Sequence, residues 1–298
     1  MTHRMKMRAA PALLVLALAA TAARGESTPE PAACSAEALG TARVLPVDAA
    51  TTPRVGRKHF HDTLPLAPKE VVLTFDDGPV PGTTARVLET LKRECARASF
   101  FLLGRNALAH PQLARRALSE GHTVAHHTFS HPLLNRMPFA AAEAEIDRGF
   151  AAVDAALYGR FERMPRTPFF RFPGFASSQA LLDRLERRGI VVFGADLWAS
   201  DWTPMSPPTE LSLVLARVEA NRGGIVLFHD TRTQTAAMLA AFLRALKSRG
   251  YRLVHVVPAA FRPSAGSRAA LPRRHRRHKS APTAALKGSL NCRPLVFG

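Results

Sequence analysis

The segment of residues 71–79, with the sequence VVLTFDDGP, constrains the fold of this chain more than any other segment. Its first half is a run of apolar residues that is typical of a strand buried in a parallel sheet. The run ends abruptly in two adjacent carboxylates, Asp76 and Asp77, which are followed by a Gly-Pro turn. Charges at the exit of a buried strand need water, a cation or a reacting substrate to stabilise them. The rest of the sequence decides among these three.

Short apolar runs alternate with helical periodicity through residues 71–257, which predicts a mostly parallel sheet with right-handed crossovers. The length of this region suits a small or incomplete barrel or a doubly wound open sheet. The predicted strands are residues 71–75, 98–102, 122–125, 169–172, 190–193, 225–228 and 252–255. The predicted helices lie near residues 84–94, 107–120, 140–157, 178–188, 208–220 and 234–249. Four glycines suited to a left-handed cap follow helices: Gly121, Gly159, Gly189 and Gly250.

The N-terminal residues are predicted to lie outside this domain. Residues 1–25 combine a basic start, an apolar run over residues 9–20 and small residues suited to cleavage, which is the pattern of a secretory signal peptide. The run is too short to span a bilayer, and no later stretch is long and apolar enough to do so. We therefore expect an exported protein, periplasmic or extracellular, without a transmembrane segment. Residues 26–69 are predicted to be an extension that packs on the domain, with short strands near residues 42–47.

The net charge of +18 is concentrated towards the C-terminus. Nine Lys and Arg residues and no acidic residue lie in residues 262–298, so half of the net charge belongs to that stretch. Residues 259–298 are predicted to form a basic, disordered tail, and this location argues against specific nucleic-acid binding by the fold. Two interpretations of the tail remain open. It is either a solvated segment that favours solubility or an electrostatic tether to anionic material of the cell envelope.

The cysteines allow at most one internal disulfide, because there are three of them: Cys34, Cys95 and Cys292. Export makes such a bridge permissible. A Cys34–Cys95 bridge is favoured, since it would tie the extension to the end of the first predicted helix. Three unpaired thiols are the alternative.

Polar side chains of the kind that perform chemistry follow five of the seven predicted strands. If the strands are parallel, these side chains face one end of the sheet, where parallel α/β folds place their functional sites. Solubility alone does not explain this distribution. The residues are Asp76, Asp77, His126, His127, His131, Arg171, Asp196, His229 and Asp230.

His127 and His131 have a spacing that aims two imidazoles at one point, either on a turn of helix or on a compact loop. Two imidazole nitrogens and one carboxylate are a typical ligand set for zinc, and they leave the open position that a catalytic zinc needs. A surface pair or a hydrogen-bonded pair of histidines is the alternative. The nearby carboxylates Asp76 and Asp77 favour the metal.

Two adjacent carboxylates on an extended segment point in opposite directions, so Asp76 and Asp77 are expected to divide the work, one binding metal and one acting as a base. The alternative is a turn in which one carboxylate caps backbone N–H groups.

His229 would protonate a leaving group if Asp201 or Asp230 keeps it charged and oriented. A buried histidine satisfied by a backbone carbonyl is its alternative.

Five short segments, taken in order, resemble the motifs of the polysaccharide deacetylases (carbohydrate esterase family four, with a NodB-type domain). The resemblance covers about residues 70–257 and implies a domain over residues 70–258. It implies a distorted (β/α)7-type barrel with mostly parallel strands and an active site at the strand carboxyl ends. It also implies a divalent metal, usually zinc, and removal of acetyl groups from N-acetylated sugars. The segments are Thr74–Gly78, His127–His131, Arg171–Pro173, Asp201-Trp202 and Leu227–Asp230.

The resemblance also implies a role for individual residues. The implied metal ligands are Asp77, His127 and His131. The implied catalytic residues are Asp76 as general base, His229 as general acid, Arg171, which holds Asp76, and Asp201, which orients His229. The implied substrate contacts are Gly174, Phe175, Trp202 and Leu227, with Trp202 and Leu227 receiving the acetyl methyl group.

Two departures from the family pattern lie where substrate would be contacted. The family usually has an aromatic residue directly after Pro173, whereas this chain has Gly174 there and the aromatic residue one position later, at Phe175. The family often has an Asp where this chain has Trp198, and here the Asp lies at Asp196. These departures bear on the substrate more than on the chemistry.

The sequence therefore predicts a metal-dependent deacetylase that acts on acetylated oligo- or polysaccharides of the N-acetylglucosamine type, either chitooligosaccharide or peptidoglycan-like. A carbohydrate O-acetyl esterase or a non-sugar amidase would use the same site. A saccharide-binding module that has lost catalysis belongs to another class. The presence of both aspartates and of His127, His131 and His229 argues against that module.

Overall fold

The computed structural model describes residues 34–162 and 164–259. The predicted signal peptide, residues 26–33 of the predicted extension, residues 260–298 of the predicted tail and Cys292 lie outside the described residues. Over the described ranges, no helix combines the length and the apolar character that crossing a membrane requires.

Strands and helices alternate along the described chain. The strands are β1 (Thr41–Val47), β2 (Arg54–Val55), β3 (Glu70–Asp76), β4 (Ser99–Leu102), β5 (Thr123–His126), β6 (Phe169–Phe170), β7 (Val191–Phe193), β8 (Leu197–Trp198), β9 (Gly224–His229) and β10 (Arg252–Pro258). The helices are α1 (Thr83–Arg93), α2 (Gly104–Ala109), α3 (Pro111–Ser119), α4 (Phe139–Tyr158), α5 (Gln179–Arg187), α6 (Pro207–Asn221) and α7 (Thr233–Ser248). Two short 3-10 helices span Leu134–Arg136 and Pro173–Phe175.

All seven predicted strands are present, and the four glycines expected after helices have left-handed φ values between 69° and 84°. The predicted helix at residues 107–120 is instead two helices, α2 and α3. Pro111 has no N–H with which to continue the hydrogen bonding of α2, and it stands at the first position of α3, where that N–H is not needed. The two-residue strands β2 and β8 were not predicted, because two residues are too short to show a period.

The sheet is parallel at every pairing and is centred on β3. One side of β3 pairs along its length with β9, while the other side pairs first with β10 and then with β4. From β4 the order continues through β5, β6 and β7 to β2, and β8 lies beyond β9. The mostly parallel α/β fold is confirmed. Among the described residues β2 and β8 do not pair with each other, so the expected barrel is not closed by strands.

The sheet curves around an interior of apolar side chains. The rings of Phe101 on β4 and Phe193 on β7 lie 5.4 Å apart, although β5 and β6 separate these strands in the sheet. This interior cluster contains residues from most strands, including Val55 of β2 and Ile225 of β9. Two further clusters fill the space between the outer face of the sheet and the helices. Both faces are therefore buried, which explains the continuous apolar runs in the sequence.

The described part of the N-terminal extension adds strands to this sheet. β1 pairs with β10 and β2 pairs with β7, both in parallel. A disulfide joins Cys34 to Cys95, two residues beyond α1, so the favoured pairing is present. The extension is thus attached to the sheet by hydrogen bonds and to the segment after α1 by a covalent bond.

The register of the sheet places the carboxyl ends of β3, β4, β5 and β9 close to one level. Asp76, the last residue of β3, is level with His229 on β9 and with Phe101 on β4. Leu102 is in turn level with His126, the last residue of β5. Residues that follow β3, β5 and β9 therefore emerge at one level of the sheet.

Candidate active site

Asp77, His127 and His131 form a cluster with the geometry of a metal site. The Nε2 atoms of His127 and His131 lie 3.6 and 3.4 Å from Asp77 Oδ1, which is longer than a good hydrogen bond. Each residue offers one ligand atom, and these atoms lie within 4.8 Å of one another. Asp77 Oδ1 is buried and has no hydrogen-bond partner among the described residues. An orphaned carboxylate oxygen facing two imidazole nitrogens fits a divalent cation such as zinc.

The backbone around the cluster holds unusual conformations that aim its ligands. Asp77, Thr128 and His131 have left-handed φ values of 77°, 68° and 71°, and such strain persists where the surroundings enforce it. The carbonyl of Asp77 accepts a hydrogen bond of 2.7 Å from Asn106. The hydroxyl of Thr128 accepts a bond of 3.1 Å from the N–H of His131.

His127 is oriented by its second ring nitrogen. Its Nδ1 lies 2.8 Å from the carbonyl oxygen of Arg171, and the carbonyl can only accept, so Nδ1 carries the proton. Nε2 is therefore the free lone pair that faces Asp77. Burial lowers the pKa of His127 to about 3, which keeps the ring neutral, as a metal ligand must be.

Asp76 is held by a buried arginine. Arg171 Nη1 donates to Asp76 Oδ1 at 2.7 Å and lies 2.9 Å from the hydroxyl oxygen of Thr74, and Nη2 donates to the carbonyl of Gly194 at 2.8 Å. Both side chains are almost completely buried. Burial raises the pKa of Asp76, and the charge of Arg171 opposes that rise.

The expectation that the two carboxylates point in opposite directions is wrong. Asp76 Oδ2 and Asp77 Oδ1 lie 3.7 and 3.6 Å from the same atom, His127 Nε2. The alternation of an extended strand ends at Asp76, because Asp77 has a left-handed φ that turns its side chain back. The two carboxylates therefore converge on one point.

His229 faces the same centre and is paired with Asp201. Its Nδ1 lies 2.8 Å from Asp201 Oδ1, its backbone N–H donates to Asp201 Oδ2 at 2.6 Å, and its Nε2 lies 3.9 Å from Asp77 Oδ2. Of the two candidate partners, Asp201 is the one in contact. Asp230 instead accepts a bond of 2.6 Å from the hydroxyl of Thr84. Burial alone would lower the pKa of His229, but the hydrogen bond and charge of Asp201 outweigh it and raise the pKa to about 9.

A buried glutamate extends this pair. Thr235 Oγ1 lies 2.9 Å from Asp201 Oδ2 and 2.8 Å from Glu210 Oε1. A hydroxyl has one proton and cannot donate to both carboxylates at once. A protonated Glu210 resolves the conflict by donating to Thr235, and burial raises the pKa of Glu210 to about 7. The sequence reasoning missed Glu210 and Thr235, because neither belongs to a recognisable motif.

Besides Asp230, which is bonded to Thr84, two of the polar residues predicted at strand ends do not reach the site. The ring of His126 packs edge-on against Phe150 of α4, 4.8 Å between centroids, because neighbouring residues of a strand face opposite sides. The carboxylate of Asp196 accepts bonds from the backbone N–H groups of Arg57 and Ile225 and from the hydroxyl of Thr63. His126 is a core residue, and Asp196 is a structural one.

The converging groups open into a cavity of about 440 Å³. The four residues predicted to contact substrate, Gly174, Phe175, Trp202 and Leu227, all line it. Arg171 and Asp201 do not line it and act from behind Asp76 and His229.

Other residues of the cavity were not predicted from the sequence. They include His59 from the extension, whose ring is stacked on Phe175 with centroids 3.6 Å apart. No local signal identifies His59, because it lies in a stretch rich in Pro and Thr without periodicity. Trp198 and Arg232 also line the cavity, from the short strand β8 and from the turn before α7.

A family model described as polysaccharide deacetylase matches residues 64–193. The chain is 34% identical over 188 residues to a peptidoglycan-N-acetylglucosamine deacetylase of Listeria monocytogenes, which is 63% of this chain and 38% of that relative. It therefore spans about two fifths of the length of that relative. It is 31% identical over 204 residues to a chitooligosaccharide deacetylase of Bradyrhizobium, which is 64% of this chain and 90% of that relative.

Among solved structures, the fold is similar to that of a peptidoglycan deacetylase from Bdellovibrio bacteriovorus. The TM-score is 0.65 at 32% identity, over 74% of this chain and 60% of the other.

Proposed function

This chain belongs to the polysaccharide deacetylase family, and we propose that it hydrolyses the acetamide groups of N-acetylglucosamine-type saccharides and releases acetate. The observation that carries this proposal is the convergence of five side chains on one cavity. The Asp77, His127 and His131 cluster lies between the Arg171-held Asp76 and the Asp201-held His229. A metal position flanked by one base and one acid is what amide hydrolysis needs.

Asp77, His127 and His131 would hold a divalent cation, and zinc fits their donor set. When bound, such an ion supplies Lewis acidity next to the scissile carbonyl.

The proton transfers belong to Asp76 and His229. Asp76 accepts a proton from the water that attacks the acetyl carbonyl carbon, and its raised pKa suits a base that must take up a proton. The C–N bond then breaks while His229 donates its Nε2 proton to the departing nitrogen. With a pKa of about 9, His229 carries that proton at neutral pH. The products are acetate and a free amine.

The cavity wall positions the acetamide. The backbone N–H of Gly174 is proposed to donate to the oxyanion that forms on the carbonyl oxygen, and Trp202 and Leu227 are proposed to hold the acetyl methyl group. Arg171 keeps Asp76 ionised and oriented, and Asp201 does the same for His229. We further propose that the protein is exported, because residues 1–25 have the pattern of a signal peptide.

The test is acetate release from chitooligosaccharides and peptidoglycan fragments, with and without a chelator, together with the metal content of the protein. We expect turnover that chelation removes and added zinc restores. The variant His127→Ala should lose both metal and activity, while His110→Ala, in a partly exposed histidine outside the cavity, should lose neither.

Activity that survives chelation or His127→Ala would refute the proposed mechanism. Turnover confined to O-acetyl sugars or to non-sugar amides would reassign the substrate. Tight chitooligosaccharide binding without turnover would support a saccharide-binding module instead.

A further inference from the structure

The sheet is not closed by strands, and part of the N-terminal extension fills the opening. We call residues 56–63 the extension loop. It follows β2, which pairs with β7, and it contacts the segment between β7 and β8: the N–H of Lys58 donates to the carbonyl of Ala195 at 3.0 Å. The loop thus occupies the gap that a closing strand would fill.

Asp196 anchors the extension loop at both ends. Its Oδ1 accepts from the N–H of Arg57 at 2.9 Å, and its Oδ2 accepts from the hydroxyl of Thr63 at 2.8 Å. Gly56 allows the close approach, because a Cβ there would lie 2.4 Å from the backbone nitrogen of Ala195. The backbone of the loop is therefore fixed before any ligand binds, and the displaced Asp at 196 has a structural reason.

The anchored loop places His59 between two concave surfaces. The ring of His59 is stacked on Phe175 at an interplanar angle of 20° and lies 6.0 Å from the ring of Trp198. It lines the site cavity on one side and a second cleft of about 840 Å³ on the other. Its Nδ1 is buried and has no hydrogen-bond partner within the described ranges.

The second cleft has the chemistry of a sugar site. Burial lowers the pKa of His59 to about 4, so the ring is a neutral aromatic surface with a polar edge. Neutral hydroxyl and amide groups, which match the hydroxyl and acetamide groups of a sugar, face the cleft from the extension and from the residues around the start of α5. They are Thr51, Thr52, Ser177 and Gln179. Charged side chains line the cleft as well, namely Asp62 and an Arg54 that is paired with Glu186 at 2.9 Å.

We infer that the second cleft binds another sugar of the same saccharide chain, next to the sugar that is deacetylated, and that His59 is the stacking surface between the two positions. This inference rests on the proposed function. The cleft is built largely by residues before position 64, where the family match begins, so its lining comes mainly from the extension.

The test compares chain lengths. Acetate release is measured for N-acetylglucosamine oligomers of increasing length on the zinc-loaded protein. We expect kcat/KM to rise with oligomer length. His59→Ala should raise KM about three- to tenfold more for the longer oligomers than for the shortest, the range expected for a lost aromatic contact. His59→Phe, which keeps the stacked ring, should retain most of the rise of kcat/KM with oligomer length.

Two further variants protect this test. Gln179→Trp adds bulk to the cleft from an exposed position and leaves residue 59 as histidine, and it should remove the same rise of kcat/KM with length. His110→Ala is the matched control outside both concave surfaces and should behave as the parent protein. Loss of activity that is equal at all lengths, or an unchanged length dependence in His59→Ala and Gln179→Trp, would overturn the inference.

Failure of the proposed function has a different signature. A parent protein that releases no acetate from any length refutes the proposed function. The cleft is then tested by calorimetric binding of the longest oligomer, and binding that His59→Ala leaves unchanged would refute the cleft as well.

Discussion

The site cavity has a floor and a wall that are built in different ways. The floor consists of Asp76, Asp77, His127, His131 and His229, which lie at the carboxyl ends of strands or shortly after them. The wall consists of His59, Phe175, Trp198 and Trp202, which come from the extension, from the 3-10 helix Pro173–Phe175, from the short strand β8 and from the turn after it. The floor is held by charges and hydrogen bonds and is largely buried, whereas the wall is aromatic and partly open, with Trp202 45% exposed.

This difference sets the size of the expected effects. Replacing a charged side chain in a buried network leaves the opposite charge unpaired. Removing a catalytic proton donor or acceptor lowers the rate by factors of about 10² to 10⁴. Removing an aromatic side chain from an open wall loses contact area, which is worth a few-fold. The expected effects of substitutions therefore decrease from the floor to the wall.

The largest effect is expected for Asp77→Asn. An amide oxygen is a poor substitute for the charged ligand that faces His127 and His131, so the protein should lose its metal and nearly all activity, at least about 10³-fold. Metal analysis after dialysis and acetate release would check this. Full metal retention would contradict the assignment of Asp77 as a ligand.

Asp76→Asn is the matched change one residue earlier. It should keep the metal and lower kcat by about 10²- to 10⁴-fold, because only the proton acceptor is removed. The same two measurements separate this variant from Asp77→Asn. If both variants lose metal equally, then both carboxylates are ligands, which their shared distance to His127 permits.

Asp201→Asn should alter the pH profile. The pKa of His229 is raised to about 9 in the folded protein, so its proton, and its stabilising pairing with Asp201, are fully present below its ordinary value and are lost as pH rises through about 9. The parent protein should therefore lose activity above about pH 9. Without the Asp201 charge this alkaline limb should move to lower pH, and kcat at neutral pH should fall about 10²-fold. An alkaline limb of the activity profile that stays at the same pH in Asp201→Asn would exclude His229 as the general acid.

The smallest effect is expected at the wall. Trp202→Ala removes a ring that packs edge-on against His229 and Trp198, with centroids 6.0 and 5.9 Å away. KM should rise about two- to tenfold with a smaller change in kcat. Phe161→Ala is the matched control, an exposed aromatic residue outside the cavity. A fall of kcat/KM by several powers of ten in Trp202→Ala would show that this residue is as important as the residues of the floor.

The floor was predictable from the sequence to a large extent. A buried strand that ends in Asp76 and Asp77, and a His127 and His131 pair after another strand, are local patterns whose meeting follows from parallel pairing. The Cys34–Cys95 bridge was also favoured before the fold was known. It was harder to predict which face of the sheet each side chain lies on, since the neighbours His126 and His127 face opposite ways.

The wall was not predictable, because its contacts join distant segments. His59 reaches Phe175 only after β2 has paired with β7 and Asp196 has bound the extension loop. Strands of two residues such as β2 and β8 carry no period, and a lone histidine in a Pro- and Thr-rich stretch carries no motif.

By itself, the sequence determined the alternation of strands and helices, the family, and the types of residue that meet at the strand ends. These are local properties, set by periodicity and by short motifs. Only the tertiary structure decided that Asp77 turns back to join Asp76 and that His229 pairs with Asp201 and not with Asp230. It also decided that the extension occupies the gap between β2 and β8 and supplies His59. Each of these depends on a backbone angle or on a contact between distant residues, and neither leaves a pattern in the order of amino acids.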